Sequence, residues 1–250
     1  MICAHRGDTS HGARENTLSA ISEALTSGAE MIEIDVQMTA DNVIVCHHDE
    51  QVASMTIWKE TYNALAEKLG DQVPTKFEDI LLLAKGKVHL NIEMKEYSSR
   101  PANTFTNPLV DLVRSNGMHE YVLYSSFRLD YLREMPWDAT TTVIHPSTDI
   151  VNFFNLRSSK PVTLPKPAEE MLPSEMMIVS RATTYACRLD ELTPERQKNI
   201  TSRNIHLSVY TITSDEEFKK ALALGAKAVV TDIPHDLVIT RNALYPQQSS

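Results

Sequence analysis

Met31-Ile32-Glu33-Ile34-Asp35-Val36-Gln37-Met38 and His89-Leu90-Asn91-Ile92-Glu93-Met94-Lys95 are the two stretches on which the reading of this chain turns. Each reads as a β-strand, in which residues two apart share a face. Ile32 and Ile34 fall on one side of the first stretch and Glu33 and Asp35 on the other. In the second, Leu90, Ile92 and Met94 oppose Glu93 and Lys95. Strands with one side apolar for helices to cover, and carboxylates at their C-terminal ends, match the staves of a parallel barrel.

Working outward, strand-like runs are expected at residues 2–5, 43–47, 121–127, 140–144, 177–180, 206–212 and 228–231. Amphipathic helical stretches alternate with them at 16–27, 76–85, 108–116, 129–134, 194–203 and 216–224, and a last helix follows Pro234. Such alternation predicts parallel βαβ units. About eight strands in 250 residues predict a (β/α)8 TIM-type barrel, with a doubly wound open sheet as the competing architecture. No internal repeat or composition break divides the chain, so one domain over 1–250 is expected. Residues 146–175 are rich in proline and serine, and predict a long barrel loop with a short helix near 151–156.

Composition narrows the function. Hydrophobic residues make up 42% of the chain, enough for a self-sufficient core. The three cysteines, Cys3, Cys46 and Cys187, form no CxxC pair. They exclude a disulfide scaffold and a thiolate zinc site, and suit a reducing compartment. No run approaches the roughly 18 apolar residues of a membrane span, and the N-terminus has no signal-peptide pattern. A cytoplasmic protein without membrane attachment is expected. The net charge of −9 argues against nucleic acid as a partner. An anionic small molecule has to be captured locally, by a metal or a few placed cations.

Four clusters fall at predicted strand ends: Ala4-His5-Arg6-Gly7, Glu33-Ile34-Asp35, His47-His48-Asp49 and Glu93-Met94-Lys95. Singly, each is as well explained by an ion pair, a solvated face or a satisfied loop histidine. Together, three carboxylates converging at strand ends are costly unless a cation neutralises them. Oxygen donors without cysteine, and histidines not at ligand spacing, favour one hard divalent cation, Mg2+ or Ca2+, over zinc. Two histidines beside it supply a general acid and a general base. Arg6 and Lys95 suit a phosphate or another oxyanion. The constellation predicts metal-assisted phosphoryl chemistry.

These residues resemble the glycerophosphodiester phosphodiesterases. The likeness starts at Ala4-His5-Arg6-Gly7, Glu15-Asn16-Thr17 and Glu33-Ile34-Asp35-Val36, and continues through Thr39-Ala40-Asp41 and Val45-Cys46-His47-His48-Asp49. It resumes at Val73-Pro74-Thr75, Ile92-Glu93-Met94-Lys95 and Ser125-Ser126-Phe127. It ends with Val209-Tyr210-Thr211-Ile212, Leu224-Gly225-Ala226 and Thr231-Asp232-Ile233-Pro234. The ordered set spans nearly the whole chain. The resemblance implies a TIM-type barrel with a small insertion after the second strand, at about 49–75. It implies acid–base roles for His5 and His48, metal ligation by Glu33, Asp35 and Glu93, and phosphate contacts from Arg6 and Lys95. The implied reaction is metal-dependent hydrolysis of a small-molecule glycerophosphodiester to glycerol 3-phosphate and an alcohol, by water or by the neighbouring 2-hydroxyl.

The chain departs from the family pattern at Arg14 (usually proline), at Glu50-Gln51-Val52-Ala53 after His48-Asp49, and at Tyr210 (commonly tryptophan). Within the insertion, Trp58, Tyr62, Leu65 and Leu69 fall on one helical face, expected to pack on the barrel rim, with a cap over the site as the alternative. Arg128 and Arg181 are expected to be surface arginines rather than part of the anion site. Two other functions compete. One is a lipid-directed phospholipase of related fold, of the sphingomyelinase D or phosphatidylinositol phospholipase C type. The other is a non-catalytic phosphate-binding barrel. Cleavage of a chromogenic phosphodiester on restoring a divalent cation to a dialysed sample separates an enzyme from the latter.

Overall fold

The alternation of faces seen in residues 31–38 and 89–95 builds two adjacent staves of a closed barrel. The computed structural model describes residues 1–95 and 97–246. Among these, eight parallel strands form the ring: β1 (Ile2–Ala4), β2 (Met31–Met38), β3 (His89–Met94), β4 (Val122–Ser126), β5 (Thr141–Ile144), β6 (Thr184–Arg188), β7 (Leu207–Ile212) and β8 (Ala228–Thr231). β1 pairs with β2 on one side and with β8 on the other, which closes the sheet on itself. Helices lie between successive strands, as in a (β/α)8 barrel. Ile32, Ile34, Val36, Leu90 and Ile92 are fully buried in one apolar cluster with Ile21, Phe77 and Phe105 from the surrounding helices. Among the described residues no helix is long and apolar enough to cross a membrane, and the three cysteines are buried free thiols.

The insertion after β2 starts earlier than residue 49. A strand at Ile44–Cys46 runs antiparallel to the end of β2, pairing Val36 with Cys46. It is followed by a hairpin of Gln51–Val52 and Met55–Thr56 and by a helix at Tyr62–Leu69. Trp58 is not on that helix. Thr61 caps the helix N-terminus by accepting from Ala64 N–H (3.2 Å), so the helix begins only after Trp58, which sits in a 3-10 turn. The insertion has its own small core of Val45, Val52, Ile57 and Leu65, flanked by Tyr62 and Leu69.

Three expectations are corrected. Residues 177–180 belong to a helix, Pro173–Ser180, and the stave is Thr184–Arg188. Pro173 pre-sets the first helical turn and Glu175 accepts from Leu172 N–H (2.7 Å), start signals that outweigh a short apolar run. The helix expected from Pro108 starts at Asn103 and holds Pro108 inside it, because Phe105 and Thr106 bury against the barrel. Arg128 is not a surface residue: its side chain is fully buried, paired with Asp130 (2.7 Å) and bonded to Ser98 O (3.2 Å). Arg181 is exposed, as expected, at the C-terminus of the helix Pro173–Ser180.

The turn after β1 leaves no room for a side chain at Gly7. Gly7 adopts φ +90, and a Cβ there would lie 2.7 Å from both the carbonyl carbon and the Cβ of Ala20. The next amide, Asp8 N–H, donates to Ala20 O (2.9 Å), fixing the turn onto the helix Leu18–Ser27. Gly7→Ala should therefore combine left-handed strain with a backbone clash, costing about 2 kcal/mol or more and lowering the thermal midpoint by roughly 4–8 °C. Gly12→Ala serves as control, since Gly12 has φ +89 but open space around it. A midpoint for Gly7→Ala no lower than for Gly12→Ala would show that the close approach to Ala20 carries no cost.

Candidate active site

The acidic side of β2 meets that of β3 because their register sets Asp35 beside Glu93 and Glu33 beside Asn91. One carboxylate oxygen each from Glu33, Asp35 and Glu93 lies within 4.8 Å of the others. These residues are 2%, 0% and 9% exposed, so their charges are largely cut off from water. Burial, then the neighbouring Asp35 and Glu93, hold the Glu33 carboxyl well above the usual carboxylate range.

Backbone and side chains at the barrel mouth hold the three acids in place. Glu33 Oε2 accepts from the Arg6 amide (3.0 Å). Asn16 clamps Asp35 twice, its amide nitrogen donating to Oδ2 (2.9 Å) and its carbonyl accepting from Asp35 N–H (3.0 Å). Arg6 Nε stands 3.2 Å from Asp35 Oδ2, while its Nη1 binds exposed Glu15 (2.9 Å). Lys95 Nζ lies 2.9 Å from Glu93 and 3.7 Å from Asp35. Burial opposes the Lys95 charge, but Glu93 and Asp35 outweigh it and raise its pKa. Among the described residues, no hydrogen-bond donor reaches the buried Glu33 Oε1 or Asp35 Oδ1. All-oxygen donors, two of them unsatisfied, fit a hard divalent cation.

The two histidines are oriented alike. His5 follows β1, and the pairing of Ala4 with Thr231 brings it to the residue after β8. His5 Nδ1 is 2.6 Å from Asp232 Oδ1, and its Nε2 is 4.0 Å from Glu33 Oε2. His48 Nδ1 is 2.7 Å from Asp49 Oδ1. A carboxylate on Nδ1 selects the Nδ1–H tautomer and leaves Nε2 as the free basic nitrogen. The hydrogen bonds from His5 and His48 in turn hold Asp232 and Asp49 below the ordinary carboxylate range.

His5, Arg6, Glu33, His48, Glu93 and Lys95 all line one cavity of about 210 Å3 at the C-terminal mouth of the barrel; Asp35 lies beneath it, fully buried. The cavity reaches into the ring because the strands facing β2 and β3 place small side chains there, among them Thr142, Ala186 and Ser208. His47 is not part of its lining: its Nε2 lies 3.1 Å from Gln51 O. Trp58 and Tyr62 are absent from the lining as well. Trp58 donates to Glu50 (2.9 Å) and Tyr62 to Pro74 O (3.4 Å), so the insertion packs on the rim through its own core. Arg128 and Arg181 also lie outside the lining.

Reading the chain for titratable clusters gives Asp232, Asn16 and Phe127 no part in the site. Asp232 and Asn16 belong to the quoted motifs but carry no obvious chemistry until the register places them against His5 and Asp35. Phe127 and Tyr210 form an aromatic pair, edge to face at 6.5 Å, on the cavity wall. Their signal is position at a strand end rather than residue type.

Comparison with known proteins agrees with this geometry. A glycerophosphodiester phosphodiesterase of Caldanaerobacter subterraneus subsp. tengcongensis is 25% identical over 253 residues, covering 95% of this chain and 96% of its own. The crystal structure of a glycerophosphodiester phosphodiesterase from Parabacteroides distasonis is similar in fold, with a TM-score of 0.77 at 20% identity over 97% of both chains. So is that of an Oleispira antarctica phosphodiesterase in complex with the product sn-glycerol-3-phosphate, with a TM-score of 0.77 at 17% identity over 96% of both chains. The family model for glycerophosphoryl diester phosphodiesterases matches residues 5–236, and the chain belongs to that family.

Proposed function

We propose that this protein hydrolyses glycerophosphodiesters to glycerol 3-phosphate and an alcohol, with one Mg2+ or Ca2+ held by Glu33, Asp35 and Glu93. The observation that carries the reading is the convergence of three buried carboxylates, two with oxygens lacking donors, beside two histidines each held at Nδ1 by an aspartate. When bound, the cation supplies Lewis-acid polarisation of the phosphate oxygens and neutralises charge in the transition state. Arg6 and Lys95, already gathered against Asp35 and Glu93, offer hydrogen bonds to the remaining phosphate oxygens. Nε2 of one histidine takes the proton of the attacking hydroxyl, and Nε2–H of the other protonates the leaving alkoxide. Asp232 and Asp49 stabilise whichever ring is imidazolium at each step. The same chemistry supports a small-molecule phosphodiester as partner, and a single catalytic unit built on the whole barrel.

The direct test is release of glycerol 3-phosphate from glycerophosphocholine by a chelator-treated sample, before and after Mg2+, Mn2+ or Ca2+ is restored. Activity is expected only with cation. Glu33→Gln and Asp35→Asn should abolish it and weaken metal binding in calorimetry; unchanged affinity in both would remove these residues from the metal site.

His5→Ala and His48→Ala should each lower kcat by about 10²–10⁴-fold, the usual contribution of a positioned acid or base. His47→Ala, outside the cavity lining, should keep most activity. A dead His47→Ala enzyme beside an active His48→Ala enzyme would reverse the assignment.

Asn16→Ala should reveal how much of the site depends on orientation. It removes both hydrogen bonds to a buried carboxylate, a loss of about 1–3 kcal/mol in stability. Metal affinity should fall by roughly 10–100-fold, as for lost outer partners of a ligand. A variant with normal affinity would show that β2 alone positions Asp35.

A further inference from the structure

His5 and His48 are held by different means. His5 belongs to the sheet: its amide donates to Thr231 O (2.9 Å), and Asp232 is the residue after that strand. His48 lies two residues beyond a strand end. The antiparallel strand Ile44–Cys46 keeps its register with β2 as far as the bond from His47 N–H to Asp35 O (3.1 Å). Past that bond the chain leaves β2, and residues 47–50 belong to no helix or strand. The carboxylate on the His48 ring gives little anchorage, because the Asp49 side chain is 75% exposed and such a contact in water holds a side chain weakly. An imidazole that has to meet a phosphodiester in one geometry therefore needs its backbone fixed by other groups.

Gln37 supplies that anchorage. Two residues after Asp35 on β2, it shares the acidic face and is fully buried. Its Nε2 donates to His47 O (2.8 Å) and to Asp49 O (2.6 Å). Both partners are carbonyl oxygens, so the nitrogen has to face them, and both of its hydrogens are used. The backbone thus folds around one nitrogen, with His48 between the two anchors. Among the described residues no donor reaches Gln37 Oε1, although it is buried. A bare acceptor in the interior is a local cost, offset here by the two bonds from the nitrogen. The carbonyl between the anchors, His48 O, accepts from Tyr97 Oη (3.2 Å) in the loop after β3. Three consecutive carbonyls around His48 are therefore each met by a side chain rooted near the acids, Gln37 beyond Asp35 and Tyr97 beyond Glu93. Neither residue lines the central cavity, so neither touches the reacting atoms.

We propose that Gln37 is a positioning residue for His48, acting through the carbonyls of His47 and Asp49 with support from Tyr97. It ties the imidazole to β2, so the strand that carries Glu33 and Asp35 also sets where the acid–base group stands. The residue type is specific to the task. Glutamate would turn an oxygen on both carbonyls, methionine would fill the space without a donor, and asparagine is one methylene short. The inference rests on the acid–base reading of His48. The competing role is structural only, with Gln37 pinning the insertion to the barrel.

A double-mutant cycle separates the two roles. Gln37→Met keeps the bulk and removes both donors. With glycerophosphocholine and saturating Mg2+, kcat should fall by about 10–100-fold, the scale of a misplaced catalytic group. KM, and Mg2+ affinity by calorimetry, should stay within about twofold of the parent. In a His48→Ala background the same change should lower kcat by less than about twofold, since nothing remains to be positioned. Should Gln37→Met fold poorly, Tyr97→Phe keeps the ring and removes the hydroxyl. It should lower kcat by about three- to tenfold in the parent and by less than about twofold without His48. Equal losses in both backgrounds, or a loss of Mg2+ affinity that matches the loss of activity, show a structural pin and overturn the proposal. Full kcat in Gln37→Met beside a dead His48→Ala enzyme also overturns it, and leaves the acid–base reading standing. A His48→Ala enzyme as active as the parent overturns both. A parent chain that cleaves the ester with no cation removes the reaction and the positioning role together.

Discussion

Three carboxylates share a space less than 5 Å across, in a place water hardly reaches. At that separation two like charges repel by on the order of 3 kcal/mol even at an effective dielectric constant of about 20, and each also loses solvation. Two cations answer three buried anions, and one of the two, Arg6, is shared with exposed Glu15. Among the described residues, carboxylates thus outnumber the cations gathered against them, which fits the site of a divalent cation. Several polar contacts at the barrel mouth serve these acids: the Arg6 amide on Glu33, the double clamp of Asn16 on Asp35, and Lys95 held against Glu93.

Holding those groups demands unusual backbone. Arg6, Gly7 and Asn16 all take left-handed conformations, φ +57, +90 and +59. Asn16 N–H donates to Arg6 O (2.9 Å), closing the turn on itself. Asparagine tolerates that conformation better than most residues, and its side chain is the one that reaches both edges of Asp35. The positive φ at Arg6 is a local cost offset by what it gains: its amide meets Glu33 while its guanidinium spans Asp35 and Glu15.

The barrel and its acidic wall were legible because their signals are local. Alternation in residues 31–38 and 89–95 separates an apolar face from an acidic one without reference to any other part of the chain. The stave at Thr184–Arg188 was not legible, because its residues are mixed in polarity, whereas the apolar run at 177–180 nearby satisfies helix and strand equally well. Trp58 shares the helical spacing of Tyr62, Leu65 and Leu69 but lies outside their helix, because spacing alone does not show that Thr61 starts a new one. Asp232 and Asn16 carry no signal in the sequence alone, since their role exists only relative to residues brought close by register. The burial of Arg128 is hidden for the same reason: its partner Asp130 is two positions away, but the aromatic rings that cover it, Tyr131 and Phe154, come from two different helices.

The contact between His5 and Asp232 spans 227 positions of the chain. It forms at the seam where β1 meets β8, immediately beyond the pairing of Ala4 with Thr231 and the bond from His5 N–H to Thr231 O (2.9 Å). Glu33, Asp35, His48 and Glu93 all fall within the segment from β2 to β3, and His5 lies outside it. Only closure of the ring supplies the aspartate that selects its tautomer. Non-local contacts of this kind form late, because loop-closure entropy has to be met first. The three carboxylates therefore lie on one strand pair, whereas the orientation of His5 depends on the completed ring. A lesion in β8 can thus leave His5 without its aspartate while the acidic side chains of β2 and β3 stay together.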